Sequence, residues 1–222
     1  MKKYCAITGA SGGVGKEISL ALSKKYNLVL IGSNKKKLDN LKKKILKKNF
    51  CKISLIQSDF INVKSIIKTC SLLNKKKIEV LINNAGVLEY NHYIREKDKR
   101  TLDIMNINLI SHMLITKAIL KNMKEKRNGR VIFIGSTSSH RGIKNTISYC
   151  VSKHGLLGFS RSINEEYNKF NIFSSFLSPG SIKTKMSKKL QDKNRNSFIK
   201  TNEIANYVNF ILSEENNSFF DE

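Results

Sequence analysis

Six short, nearly unbroken apolar runs recur along the chain, and stretches with helical spacing separate them. No other feature restricts the fold as much. The runs fall at 4–8, 28–31, 53–57, 80–83, 131–134 and 172–177. Their length is that of a strand, and the lack of polar alternation means burial on both faces, as at the centre of a parallel sheet. Helical stretches lie at 15–25, 37–48, 61–73, 97–126 and 148–167, and another at 202–212 follows the last run. Such alternation predicts an α/β domain: one doubly wound parallel sheet with right-handed crossovers and helices on both faces. The chain has 222 residues, one proline (Pro179), no repeat and no Gly/Ser-rich linker, so we expect a single domain over 1–222.

Composition excludes several classes. No run of eighteen apolar residues is present, so no membrane span is expected. The apolar start breaks at Gly9, too early for a signal peptide. Cys5, Cys51, Cys70 and Cys150 are far apart, which argues against a disulfide framework or zinc site and for reduced thiols in the cytoplasm. The histidines show no metal-ligand spacing. Net charge is +24, yet the lysines are spread along helix faces and turns. We read them as solvated faces that attract anionic cofactors and substrates, not as a nucleic-acid site.

Two features carry chemistry. The first run opens into Thr8-Gly9-Ala10-Ser11-Gly12-Gly13-Val14-Gly15, a glycine turn between strand and helix. Such a turn lets the backbone approach a pyrophosphate, with helix N–H groups aimed at the anion. Tyr149 and Lys153 stand four residues apart on a predicted helix, and Ser136 lies thirteen residues upstream. A phenol has a pKa of about 10. A fixed cation beside it favours the phenolate, which would let the pair exchange a proton near neutrality.

The glycine turn, Asp59, Asn83-Asn84-Ala85-Gly86, Asn108, Ser136, Tyr149-x-x-x-Lys153 and Ser178-Pro179-Gly180-x-Ile182-x-Thr184 occur in order. Over about residues 3 to 214 the chain thereby resembles the short-chain dehydrogenase/reductase family in its compact, Rossmann-type form. The resemblance implies a hydride transfer between a nicotinamide and a carbonyl or secondary alcohol. It assigns Tyr149 as general acid or base and Lys153 as the group that lowers the Tyr149 pKa and binds the nicotinamide ribose. Ser136 becomes the donor to the substrate oxygen, in preference to Ser138 or Ser139. Asn108, favoured over Asn106, holds a water that links Lys153 to solvent. Thr8, Gly9, Ser11, Gly13, Val14 and Gly15 take the pyrophosphate side of the cofactor, Asn84, Ala85 and Gly86 the adenosine side. Asp59 would contact the adenine, and a helix N-cap is its equal alternative. Pro179, Gly180, Ile182 and Thr184 line the nicotinamide side.

Cofactor choice is read at Ser33-Asn34-Lys35-Lys36, where no carboxylate follows the second run. An NAD site places an acid there for the ribose hydroxyls, so we expect NADP in preference to NAD, with Ser33 and Asn34 near the ribose. The arginine usual in the family's NADP forms is absent near Ser33, and Gly12 stands where many carry a basic residue. The family's last strand has no counterpart after 212. The polar stretch at 185–196 favours a small, possibly sugar-like carbonyl, with 3-oxoacyl thioesters next. Homodimers or homotetramers are implied. A non-catalytic dinucleotide-binding regulator is the alternative of another class.

Overall fold

The computed structural model describes residues 2–184, 186–189 and 198–213. Six parallel strands form its sheet: β1 Tyr4–Thr8, β2 Asn27–Gly32, β3 Ile53–Gln57, β4 Ile78–Asn83, β5 Gly129–Ile134 and β6 Ile172–Leu177. Their order across the sheet is β3-β2-β1-β4-β5-β6. The helices are α1 Gly13–Leu22, α2 Lys35–Leu46, α3 Val63–Asn74, α4 Asp98–Met105, α5 Ser111–Lys126, α6 Ile147–Tyr167 and α7 Thr201–Ile211. The expected doubly wound architecture is therefore present. The stretch expected as one helix at 97–126 is α4 and α5 joined by a π-helical segment, Asn106–Ile110. Any strand after 213 and most of the polar stretch at 185–196 lie outside the described residues.

The sheet is buried on both faces, as the continuous apolar runs require. Alternate residues serve opposite layers. Ala6, Val29, Ile31, Leu81, Val131 and Phe133 pack under α3, α5 and α6 through Ile66, Leu73, Ile115, Ile119, Leu156 and Ile163. Cys5, Ile7, Leu28, Leu30, Ile82 and Ile134 pack under α1, α2 and α7 through Ile18, Leu22, Leu38, Ile45, Ile204 and Val208. In α2 the apolar positions Leu38, Leu41 and Ile45 keep helical spacing and are buried, while Lys36, Lys43 and Lys44 are exposed. These lysines stand on a solvated face. No helix among the described residues is long and apolar enough to cross a membrane.

The chain winds outward from β1 in one direction and from β4 in the other. Their adjacent carboxyl ends make a topological switch point, where an open α/β sheet leaves a crevice.

Candidate active site

The crevice is a cavity of about 670 Å³ over the carboxyl ends of the strands. The turn after β1 forms one wall. Gly9 has φ +60°, a left-handed conformation that a side chain resists. It is also crowded: a Cβ there would lie 2.9 Å from the Ala85 Cα. A Cβ on Gly15 would run into the Gly9 carbonyl and stand 2.7 Å from Asn84 Nδ2. These contacts let α1 begin tight against β4.

No side chain caps α1, whose N-cap is Gly12, and its first turn holds no acid. Gly12, Gly13 and Val14 line the crevice where α1 begins, and the first N–H groups of a helix have no intrahelical partner. They carry the positive end of the helix dipole, so a pyrophosphate would complete the helix as a cap would. Ser11 and Gly15 line the same wall. The residues present therefore fit a dinucleotide.

Thr8 lies beneath this wall, fully buried, and does not line the cavity. Its Oγ1 accepts from the N–H groups of Asn84 (2.9 Å) and Ala85 (3.0 Å), tying β1 to the end of β4. Asn84 Nδ2 donates back to the carbonyls of Thr8 (2.9 Å) and Gly9 (3.2 Å). Asn84, Ala85 and Gly86 all line the cavity.

Past β2, Gly32, Ser33, Asn34 and Lys37 line the far end. The Asn34 side chain caps α2 by accepting the Lys37 N–H at 2.9 Å. No aspartate or glutamate lines the cavity among the described residues. Asp59 is outside it as well. This exposed carboxylate accepts from the Ile61 N–H at 3.1 Å in a local turn, and Asn62, not Asp59, caps α3. The cap expected of Asp59 is thus made by Asn62.

Ser136, Tyr149 and Lys153 meet at the near end. The Ser136 hydroxyl hydrogen-bonds the Tyr149 phenol and also accepts the Ser138 N–H at 3.1 Å. Ser138 lines the cavity as well, but the phenol selects Ser136. Lys153 is 4% exposed, and its ammonium donates to the Ile134 carbonyl at 2.9 Å while standing 5.8 Å from the centre of the Tyr149 ring. Burial pushes the lysine down to about 8. Burial also pushes the phenol up, against the Ser136 hydrogen bond that favours its anion. Desolvation is the larger influence on the phenol, and the Lys153 ammonium is hydrogen-bonded to the Ile134 carbonyl.

Asn108 is fully buried in the π-helical segment. Its Oδ1 accepts the Val87 N–H at 2.8 Å, and its Nδ2 donates to the Val87 carbonyl (2.9 Å) and to Ser152 Oγ (3.1 Å). The side chain is spent on protein partners, binding the segment after β4 to α6. Asn106 points elsewhere, donating to the Ile61 carbonyl at 3.3 Å. Pro179, Gly180, Ile182 and Thr184 line the cavity, joined by Leu88, Ile143, Thr146 and Met186, which no motif marks.

An uncapped helix start for a diphosphate and a phenol–ammonium pair share one crevice at the switch point. Together they define a dinucleotide-dependent oxidoreductase. The chain belongs to the short chain dehydrogenase family, whose sequence model matches residues 3–195. It is 36% identical to the 3-oxoacyl-(acyl-carrier-protein) reductase of Buchnera aphidicola subsp. Schizaphis graminum, over 96% of this chain and 91% of that protein. With the reductase of the same name from Escherichia coli K12 it shares 30% identity, over 96% and 91%. Among solved structures, an alcohol dehydrogenase from the archaeon Thermococcus sibiricus, complexed with 5-hydroxy-NADP, superposes with a TM-score of 0.89. That likeness covers all of this chain and 95% of the other at 22% identity.

Proposed function

We propose that the protein reduces a carbonyl group with NADPH, and that its substrate is a 3-oxoacyl thioester. The observation that carries the reaction is the Ser136–Tyr149 hydrogen bond beside the buried Lys153 ammonium, in the same crevice as the glycine turn. When bound, the nicotinamide dinucleotide supplies the hydride.

Each residue of the chain then has a task. Both hydroxyls at the site can donate, and a substrate oxygen set between them takes a hydrogen bond from each. Ser136 holds the developing alkoxide, oriented by the Ser138 N–H. Tyr149 gives the proton. A phenol whose pKa is raised by burial is fully protonated near neutrality, which suits reduction. Lys153, cationic below about pH 8, steadies the tyrosinate left behind and is available to the ribose. Asn108 holds Val87 and Ser152, and thereby the spacing between the cavity wall and α6.

NADP over NAD is supported by the lack of a carboxylate at the far end and by the exposed Lys37 there. The archaeal neighbour's NADP-type ligand agrees. The thioester is supported by relatives that match nearly end to end. Leu88, Ile143 and Met186 give the near end an apolar side for an acyl chain. A keto-sugar remains the second substrate class, favoured by the polar stretch at 185–196. A homodimer is supported by Leu102, Met113, Ile147 and Val151, exposed apolar side chains on α4, α5 and α6. A cytoplasmic setting fits four free cysteines.

The test is NADPH oxidation by the purified protein against 3-oxoacyl thioesters, simple ketones and keto-sugars. Preference for the thioesters is expected. Turnover confined to keto-sugars moves the substrate reading to that class, and dinucleotide binding with no turnover on any carbonyl contradicts the reductase reading.

A further inference from the structure

Helix α5 and the segment before it carry three fully buried polar residues at successive turns: Asn108, His112 and Thr116. All three face the chain that leaves β4. Asn108 holds both polar groups of Val87. His112 Nε2 lies 2.8 Å from the Ala85 carbonyl and Nδ1 lies 3.0 Å from the Asn83 side-chain oxygen. The other end of the Asn83 amide is 3.0 Å from the Thr116 hydroxyl. The stretch 83–87 is thus gripped at three points from behind.

The protonation pattern follows from the partners. The Ala85 carbonyl only accepts, so Nε2 bears the hydrogen. Burial, and then the Lys153 charge, push His112 down to about 3, so the ring is neutral and Nδ1 is an acceptor. The Asn83 amide then presents its NH₂ to Nδ1 and its oxygen to the Thr116 hydroxyl, an exchange of amide ends. Every member of the chain has a partner. A hydrocarbon at 112 would leave the Ala85 carbonyl and the end of the Asn83 amide that faces Nδ1 without theirs.

What His112 holds is the wall of the crevice. The Ala85 N–H is fixed by Thr8 on one side and the Ala85 carbonyl by His112 on the other. The Ala85 Cα sits where a Gly9 side chain would go, and a Cβ on Gly86 would lie 3.9 Å from Lys153 Nζ. A shift of this segment therefore reaches the glycine turn and the ammonium together. We propose that His112 is a positioning residue for the dinucleotide, acting through the Ala85 carbonyl on the wall segment 84–86. This rests on the dinucleotide reading given above.

The test compares the wild-type protein with His112→Leu, His112→Gln and Thr116→Val by NADPH fluorescence titration, alongside steady-state KM and kcat and thermal unfolding. Leucine fills the space without hydrogen bonds and should weaken NADPH binding about tenfold, raising the KM for NADPH more than it lowers kcat. Glutamine places an N–H near the Nε2 position and should restore binding to within about threefold of wild type. Thr116→Val keeps the shape, removes the last link, and should weaken binding about threefold, which carries the test if the leucine variant does not fold. Wild-type binding with unchanged affinity in folded His112→Leu, or in Thr116→Val if leucine fails to fold, overturns the positioning role alone. So does a glutamine variant as weak as leucine. Wild-type protein that binds neither NADPH nor NADH overturns the dinucleotide reading and this inference with it.

Discussion

Lys153→Met should make the protein more stable and catalytically inert. Lys153 is buried, and its pKa falls from 10.5 in the unfolded chain to about 8 in the folded one. The folded state therefore binds fewer protons between those values, and the stability linked to this group is present above pH 10.5 and lost as pH falls through 8. At about 1.4 kcal/mol per pH unit, the ammonium costs the fold about 3 kcal/mol at pH 7. Methionine fills similar space without charge but leaves the Ile134 carbonyl, now bonded at 2.9 Å, without its donor. That loss is about 1 kcal/mol, so the net gain is about 2 kcal/mol. In a chain of this size the unfolding midpoint should rise by about 4–8 °C. Differential scanning calorimetry at pH 7 and pH 10 measures it. The gain should be present at pH 7 and shrink at pH 10, where the wild-type lysine is already neutral in the fold. A folded variant less stable than wild type at pH 7 would refute the claim that this cation is held at a cost for function.

Three further outcomes follow from the geometry. Gly15→Ala places a methyl against the Gly9 carbonyl and Asn84 Nδ2, so it should abolish NADPH binding in a titration and lower the unfolding midpoint. Ser136→Ala removes the oxyanion donor and should lower kcat by about 10²-fold while NADPH affinity, read by fluorescence, stays within about twofold. His112 has a folded pKa of about 3 against 6.5 unfolded, so its contribution is complete above pH 6.5 and lost as pH falls toward 3. Between pH 7 and 5 this costs about 2 kcal/mol, and urea unfolding of His112→Gln should show a correspondingly smaller loss over that interval.

The sheet was legible in the sequence because a strand buried on both faces has little choice of residues. The apolar runs mark β1, β3 and β6 to the residue. At β4 the run begins two residues late, because Glu79 interrupts the apolar pattern although Ile78 and Glu79 belong to the strand. At β5 the same happens at Gly129 and Arg130. The break between α4 and α5 left no trace, since a single π-helical turn inside a longer helix still reads as helix in the sequence. In the site, the glycine turn and the Tyr149–Lys153 pair were legible because both are local in sequence. Thr8 belongs to the same motif, yet its hydroxyl faces Asn84 and Ala85, more than seventy residues away, and only the folded sheet reveals a tie instead of a ligand. His112 was passed over for the same reason: its partners lie on β4 and just beyond it. Lys37 stands one turn past the expected contacts Ser33 and Asn34, and the Asn34 cap on its N–H is the signal that could have found it.

The most direct measurement sets wild type beside Tyr149→Phe, with NADPH binding followed by fluorescence and 3-oxoacyl thioester reduction followed in the same samples. If Tyr149 is the proton donor, turnover should fall by about 10³-fold or more while NADPH binds both proteins alike. Turnover that survives in Tyr149→Phe, with binding intact, would contradict the assignment of the phenol and with it the account of the site.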